Sequence, residues 1–298
     1  MSYERETRET SSPLSSPLSG EREVRGTHKS RRCYLVAMMA WMIVGVCMAP
    51  TAQAADLSAR DIMEANFYVS KVKYMTNGST MTLINDKGQQ RVRKMHSVML
   101  LQPNGIDSKL MIRFLFPADV EGTGYLQIQH HDGDDDMWIY LPALKKVRRL
   151  VANNKKDSFF GSDFSYGDIL PPVVDTYHHK ILKSEVLDGE DCWVIESVPA
   201  SEQVKKDHGY AAKTAWISKS NFMEKKADYL DTAGRRLKTM LVPEVKEVDA
   251  AGHKWWAVRR EVTNHQTGHR TLLVFDNLDT KTPVRDDFFT PRYLEREK

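Results

Sequence analysis

The side chains with the clearest capacity for chemistry form one cluster, His130-His131-Asp132-Gly133-Asp134-Asp135-Asp136. Carboxylate oxygens around a glycine are typical of calcium loops, and histidines are common zinc ligands. The spacing does not match the twelve-residue calcium loop, however, and adjacent side chains on a strand point to opposite faces of the sheet. The pattern therefore favours a solvated hairpin turn, and we expect no metal site there.

No motif for catalysis or nucleotide binding accompanies this cluster. The sequence lacks the G-x-S-x-G nucleophile elbow, the P-loop, the H-E-x-x-H zinc motif and the dinucleotide-binding glycine pattern. Cys192 lies in a strand-like segment without a Cys-His arrangement, which favours a buried, inert thiol. We therefore expect a protein that is not an enzyme and that uses no cofactor.

A basic stripe follows, Lys145-Lys146-Val147-Arg148-Arg149. The four cations Lys145, Lys146, Arg148 and Arg149 fit contact with anionic lipid headgroups or with an acidic partner. The same pattern fits an exposed edge strand, where lysines hinder pairing with another sheet. Both interpretations stay open from the sequence alone.

The elements that must position these residues are mostly strands. Ser58 and Asp61 provide an N-cap and an acidic first turn, and apolar residues at helical spacing then predict one helix to about Val69. After Asn77-Gly78 the pattern has period two, with about a dozen strands at hairpin spacing. The absence of β–α alternation excludes a doubly wound nucleotide fold, so we predict one mainly β domain, residues 55–298, that curls toward a barrel or sandwich.

Residues 152–172 interrupt the strand pattern. A connection this long is usually functional or mobile. Its centre carries Phe159, Phe160 and Phe164, which we predict to form a lid or a docking segment.

Several strands are apolar on both faces, whereas a sheet wetted on one side would alternate. We expect one face to pack on the N-terminal helix and the other to enclose an apolar cavity; a sandwich with a solid core is the alternative. Nine methionines in residues 55–298 would give such a cavity adaptable walls. The predicted wall residues are Met111, Phe114, Trp138, Tyr140, Leu237, Met240 and Leu273.

Three blocks of sequence resemble the bacterial outer-membrane lipoprotein-sorting protein family, which is related to the LolA and LolB lipoprotein carriers. They are residues 114–124 (FLFPADVEGTG), 134–149 (DDDMWIYLPALKKVRR) and 159–168 (FFGSDFSYGD). The resemblance implies an unclosed antiparallel β-barrel, or half-barrel, with an N-terminal helix and short helices covering its concave side. It also implies a periplasmic carrier of acyl chains or other lipids, often associated with efflux-type transporters of the inner membrane.

Residues 1–54 have the pattern of an export signal preceded by a long polar leader. Arg31-Arg32 is followed by an apolar run at 34–49 and by Ala52-Gln53-Ala54, so we predict cleavage after Ala54 and a periplasmic location. An uncleaved anchor is the alternative, although the run is short for a membrane span. Cleavage would leave 244 residues with a formal charge of +1 and one cysteine, which disfavours nucleic acid as a partner and excludes an intramolecular disulfide.

These observations predict a periplasmic carrier that binds lipid or lipoprotein acyl chains and helps deliver them to the outer membrane. We expect it to meet the membrane surface transiently and to work with a membrane transporter. The competing interpretation is an accessory protein of an envelope transporter complex that binds no lipid.

Overall fold

The computed structural model describes residues 57–296. The predicted signal peptide and its cleavage site lie outside these residues. The helices are α1 (Ala59–Val69), α2 (Glu202–His208) and α3 (Pro291–Leu294). The strands are β1 (Tyr74–Ile84), β2 (Gln90–Leu101), β3 (Ser108–Phe116), β4 (Gly124–Ile128), β5 (Asp136–Leu141), β6 (Lys146–Leu150), β7 (Tyr177–Leu187), β8 (Glu190–Pro199), β9 (Tyr210–Ser218), β10 (Glu224–Asp231), β11 (Arg236–Asp249), β12 (Lys254–Asn264) and β13 (Arg270–Asp279).

The thirteen strands form one antiparallel sheet in the order β6-β5-β4-β3-β2-β1-β13-β12-β11-β10-β9-β8-β7. Two meanders, β1–β6 and β7–β13, are therefore joined through the pairing of β1 with β13, and the sheet remains open between β6 and β7. This confirms the predicted mainly β, unclosed architecture. Because β6 and β7 lie at opposite edges, the chain between them, residues 151–176, must travel from one edge of the sheet to the other.

Helix α1 begins where the sequence predicts. The Ser58 hydroxyl accepts a hydrogen bond from the Asp61 backbone N–H at 3.2 Å, and the Asp61 carboxylate accepts one from the Ser58 backbone N–H. This reciprocal capping box fixes the helix start. Ile62 is fully buried against Ile195 and Ile217, so α1 packs on the β8–β9 part of the sheet.

The two faces of β3 to β5 belong to different apolar clusters. Leu110 and Phe114 of β3 join the main core, whereas Met111 between them packs with Phe289 and Leu294 of the C-terminal segment. This arrangement corrects the expected layering, because the C-terminal segment, rather than α1, covers the second face of these strands.

Three further elements differ from the sequence prediction, and one of them is the four-residue helix α3, since the residue pattern predicts only the N-terminal helix. Helix α2 was not expected; Ser201 caps it through the Val204 N–H, and Gly209 ends it with φ of 78°. Strand β11 continues past Pro243 to Asp249 with a register shift between Leu241 and Glu244, so the proline is accommodated at an irregularity. In the part of the chain that the structure describes, no helix combines the length and the apolarity needed to span a membrane.

Candidate functional site

A cavity of about 270 Å³ lies between the sheet, α1 and the segment that joins β6 to β7. Its walls are mainly apolar, and methionine is the most frequent residue in them, since seven of the nine methionines in residues 57–296 line the cavity. Methionine is flexible and polarisable, so such a wall adapts to ligands of varied shape. The seven are Met63, Met75, Met81, Met95, Met99, Met223 and Met240.

The segment over this cavity, residues 152–174, is named the cover segment below. It contains short 3₁₀ turns and no strand of the sheet. Phe159 and Phe164 are buried and line the cavity, whereas Phe160 packs on Phe114 with ring centroids 4.6 Å apart. Tyr125 supports Phe159 from β4 with a centroid distance of 5.4 Å. The aromatic side chains thus form the inner surface of a cover.

A buried ion pair fixes the cover segment to the sheet. The Asp168 carboxylate lies 2.6 Å from the Lys238 ammonium of β11, and the two side chains are 11% and 5% exposed. Asp168 also accepts hydrogen bonds from the Ser165 backbone N–H at 2.7 Å and from the Tyr210 hydroxyl at 3.0 Å. Desolvation alone would raise the pKa of Asp168, but the Lys238 charge and these hydrogen bonds lower it below its ordinary value. The carboxylate is therefore ionised at neutral pH.

A second anchor lies at Asp163. Its carboxylate oxygen is 2.7 Å from His269 Nδ1 and accepts a hydrogen bond of 2.7 Å from the Thr271 hydroxyl of β13. The Lys238 ammonium donates to the Asp163 carbonyl at 2.8 Å, and Gln129 donates to the Pro171 carbonyl at 2.9 Å. The cover segment is thus held by polar contacts at several points, and all of them must break for it to lift away as a whole.

Lys71 places a cation on the cavity wall just after α1. Its ammonium donates to Ser108 Oγ at 3.1 Å and lies 3.3 Å from Gln129 Oε1, and it sits 4.3 Å from the centre of the Phe67 ring. Burial lowers the pKa of Lys71 to about 8, and the charges of Asp107 and Asp135 oppose that shift.

Three more charged side chains line the cavity, and they come from β9, β10 and β12. Lys213 and Glu224 form an ion pair of 2.6 Å, and Arg260 of β12 lines the cavity beside Phe275. His208 also lines the cavity; burial, assisted by the Lys155 charge, lowers its pKa to about 4, so it is neutral at pH 7. Most of the surface of the cavity wall is therefore apolar, but several charged side chains also line it.

The structure brings together only part of the predicted wall. Of the predicted wall residues, Met240 and Leu273 line the cavity, and so do Phe159 and Phe164 of the predicted lid or docking segment. Phe114 lies behind Phe160 in the main core. The others lie elsewhere: Met111, Trp138 and Tyr140 in the cluster under the C-terminal segment, and Leu237 in a separate groove beside α2.

The basic stripe occupies the last turn before β6 and β6 itself, which is an edge strand. Lys145, Lys146, Arg148 and Arg149 are all exposed, so the stripe is available for contact with a surface. The position is compatible with both sequence interpretations of the stripe.

The acidic cluster before β5 is occupied by ion pairs. Asp135 lies 3.0 Å from the Lys155 ammonium, Asp136 pairs with Arg149, and His131 lies 2.8 Å from Asp107. Within residues 57–296, no group of three or more His, Cys, Asp or Glu side chains is placed to hold a metal ion. Cys192 is buried with Val194 and Trp216, and burial raises the pKa of its thiol.

Four charged residues of the site are not predicted by the sequence patterns: Lys71, Asp168, Lys238 and Arg260. For two of these residues the sequence does contain an indication of an unusual position. Lys238 shares strand parity with Met240, and Arg260 shares it with the buried Val262, so each is a charged residue on a face that is otherwise apolar. Such a residue needs a partner or a function.

The chain is similar to known proteins in both sequence and fold. A family model whose description reads "Uncharacterized protein" matches residues 106–296. A solved structure described as an outer membrane lipoprotein-sorting protein domain, from Vibrio parahaemolyticus, is 30% identical over 80% of this chain and 98% of its own, with a TM-score of 0.74. The chain belongs to this lipoprotein-sorting family.

Two more members of the same structural group extend the comparison. A DUF1329 family protein from Desulfovibrio piger is 28% identical, with a TM-score of 0.73 and coverage of 79% of this chain and 97% of its own. A LolA superfamily protein from Nitrosomonas europaea is 18% identical, with a TM-score of 0.62 and coverage of 80% and 99%, and shares the fold. The resemblance to the lipoprotein-sorting family that was drawn from the three sequence blocks is confirmed by the Vibrio parahaemolyticus structure. No curated protein matches the chain.

Proposed function

We propose that this protein is a non-enzymatic periplasmic carrier that holds the acyl chains of a lipid or lipoprotein in the methionine-lined cavity. It delivers them toward the outer membrane in cooperation with a membrane transporter. The observation that carries the proposal is the cavity itself, with its apolar walls and a cover segment anchored by charged groups. Membership in a lipoprotein-sorting family supports the same role.

The driving force for binding is the burial of methylene groups. Each contributes about 0.8 kcal/mol, so about ten buried methylenes contribute roughly 8 kcal/mol before the cost of association is subtracted. Seven methionines allow the wall to follow chains of different length or branching. If the cover segment opened in the empty carrier, the apolar wall of the cavity would be exposed to water. That exposure is unfavourable, so its cost stabilises the closed cover segment.

Release requires the cover segment to move. Its inner surface carries Phe159 and Phe164, and its anchors are Asp163 and Asp168. A competing anionic surface that weakens these anchors would open the cavity. The exposed basic stripe on β6 joins the cover segment directly, so its binding to anionic headgroups would place the cover next to a membrane.

A fluorescent acyl probe tests the proposal with two adjacent substitutions on β11. Met240 lines the cavity, whereas Leu241 is 43% exposed on the same strand. Met240→Trp should reduce probe capacity or affinity because the larger side chain fills the cavity, and Leu241→Trp should leave both unchanged. Absence of probe binding to the delipidated protein, together with stable capture of a transporter, would instead favour the accessory-protein interpretation.

A further inference from the structure

The cavity wall carries more cationic side chains than its carboxylates can pair with. Two carboxylates line it, and each is paired with its own lysine: Glu224 with Lys213 and Asp168 with Lys238, both at 2.6 Å. Among the described residues that line the cavity, Lys71 and Arg260 are cations without a carboxylate within ion-pair distance. A purely apolar ligand would leave these charges uncompensated in a desolvated space.

Lys71 is satisfied by neutral groups. An ammonium has three N–H donors. Those of Lys71 meet Ser108 Oγ, Gln129 Oε1 and the face of the Phe67 ring. No donor of Lys71 remains to recognise a ligand.

Arg260 is different. Its guanidinium lies over Phe275, 5.8 Å from the ring centre, and no acceptor within residues 57–296 takes a hydrogen bond from it. The group carries five N–H donors in a planar fork and stays charged at any physiological pH. The acid that influences it most, Glu224, is already paired with Lys213. A permanent cation with free donors therefore lines the cavity.

A second donor without an acceptor lies on the same strand. Trp256 lines the cavity as Arg260 does, and its ring meets Phe275 edge to face at 5.9 Å. Its Nε1–H is buried and has no hydrogen-bond partner among the described residues. Two donors thus flank the Phe275 ring in one part of the wall, which is a pattern for binding an oxygen-rich acceptor.

We propose that the ligand is a lipid whose acyl or alkyl chain carries an anionic oxygen group, a carboxylate or a phosphate, at one end. Arg260 binds this group inside the cavity. The inference rests on the proposed function and adds the chemical class of the ligand's end group. A guanidinium binds both groups through paired N–H donors, so the two share one recognition chemistry.

The test compares two probes with the same chain, palmitate and its methyl ester, in competition with a fluorescent acyl probe on the delipidated protein. The wild type should bind palmitate roughly tenfold more tightly than the ester, in line with a charge-assisted hydrogen bond. Hexadecyl phosphate should bind as palmitate does. Inorganic phosphate and acetate should not compete, because the affinity depends on the chain.

Four variants identify the cation that binds the anionic group of the ligand. Arg260→Met should lose the preference for palmitate and keep the affinity for the ester, and Arg260→Lys should retain part of the preference. Arg259→Met is the matched control, because Arg259 is exposed and pairs with Glu261 at 2.7 Å. Lys71→Met should change the affinity for acid and ester by the same factor. Thermal unfolding of each variant checks that the fold is retained.

The outcomes separate the two proposals. If neither probe binds the wild type, the carrier function itself fails. If both bind equally well, or if the preference disappears in Lys71→Met rather than in Arg260→Met, the carrier stands and the role of Arg260 is wrong. Displacement by inorganic phosphate alone would mean that the site takes a free anion, which also overturns the inference.

Discussion

Replacement of Asp168 by asparagine should destabilise the protein and loosen the cover segment. The pair with Lys238 is 2.6 Å long and both side chains are largely buried, so it does not behave like a surface pair worth less than 1 kcal/mol. The variant leaves the Lys238 ammonium buried without its counter-charge, which costs about 3–5 kcal/mol. At roughly 2–4 °C per kcal/mol for a chain of this size, the midpoint of thermal unfolding should fall by on the order of 10 °C.

Urea denaturation followed by circular dichroism measures this loss, and its pH dependence identifies the cause. Because the folded pKa of Asp168 is below its ordinary value of 3.8, the carboxylate's contribution is present above that value and is lost as the pH falls through the folded pKa. The difference in unfolding free energy between wild type and Asp168→Asn should therefore shrink below about pH 4.

Two comparisons control for this result. Asp207→Asn is the matched variant, because among residues 57–296 Asp207 accepts hydrogen bonds only from Gln203, at an exposed position of α2. Asp168→Asn combined with Lys238→Met should recover part of the stability, since no charge is then left unpaired. A loss below 1 kcal/mol in Asp168→Asn, or one equal to that of Asp207→Asn, would refute the reasoning.

Three more predictions concern single residues. The pKa of Lys71 in the folded protein is about 8, below the ordinary 10.5, so its positive charge opposes folding at low pH. The free energy of unfolding should therefore rise by about 3 kcal/mol between pH 8 and pH 10.5. Urea denaturation at a series of pH values should show this rise in the wild type and not in Lys71→Met. Leu273→Ala should cost about 2–5 kcal/mol in urea denaturation because Leu273 is 8% exposed, and a loss below 1 kcal/mol would mean that the wall collapses freely. Cys192 is buried with a raised thiol pKa, so Ellman's reagent should react with it far more slowly in the native than in the unfolded protein.

The strand pattern of this chain was predictable because its local signals agree. Apolar residues with a period of two mark β1 and β2, and Asn85-Asp86-Lys87-Gly88 supplies the turn between these two strands. Ser58 and Asp61 likewise mark the start of α1 within a few residues. The family blocks then supplied the curvature and the opening of the sheet, which periodicity does not encode.

The sequence predicts less well which side chains of β3 to β5 face the cavity and which face the opposite side of the sheet. Both faces of β3 and β5 are buried, so hydrophobicity does not distinguish the cavity side from the other side. Met111 and Phe114 are three residues apart on β3 and so point to opposite faces. The covering residues on the second face, Phe289 and Leu294, lie in a short C-terminal segment whose docking has no local sequence pattern.

The charged residues of the site required the tertiary structure. Asp168 and Lys238 are 70 positions apart, and only the passage of the cover segment across the open sheet brings them together. Arg260 carries a charge on an apolar strand face, which the sequence shows. That no described residue accepts a hydrogen bond from it is known only from the positions of its neighbours in the fold.

Native mass spectrometry of the protein purified from the bacterial envelope without detergent tests the carrier claim most directly. We expect one bound acyl-chain ligand per protein, which is released on denaturation, and a lower occupancy in Met240→Trp than in Leu241→Trp. A protein that is free of lipid in every preparation, and that takes up no acyl chain when lipid is added back, would contradict the carrier claim.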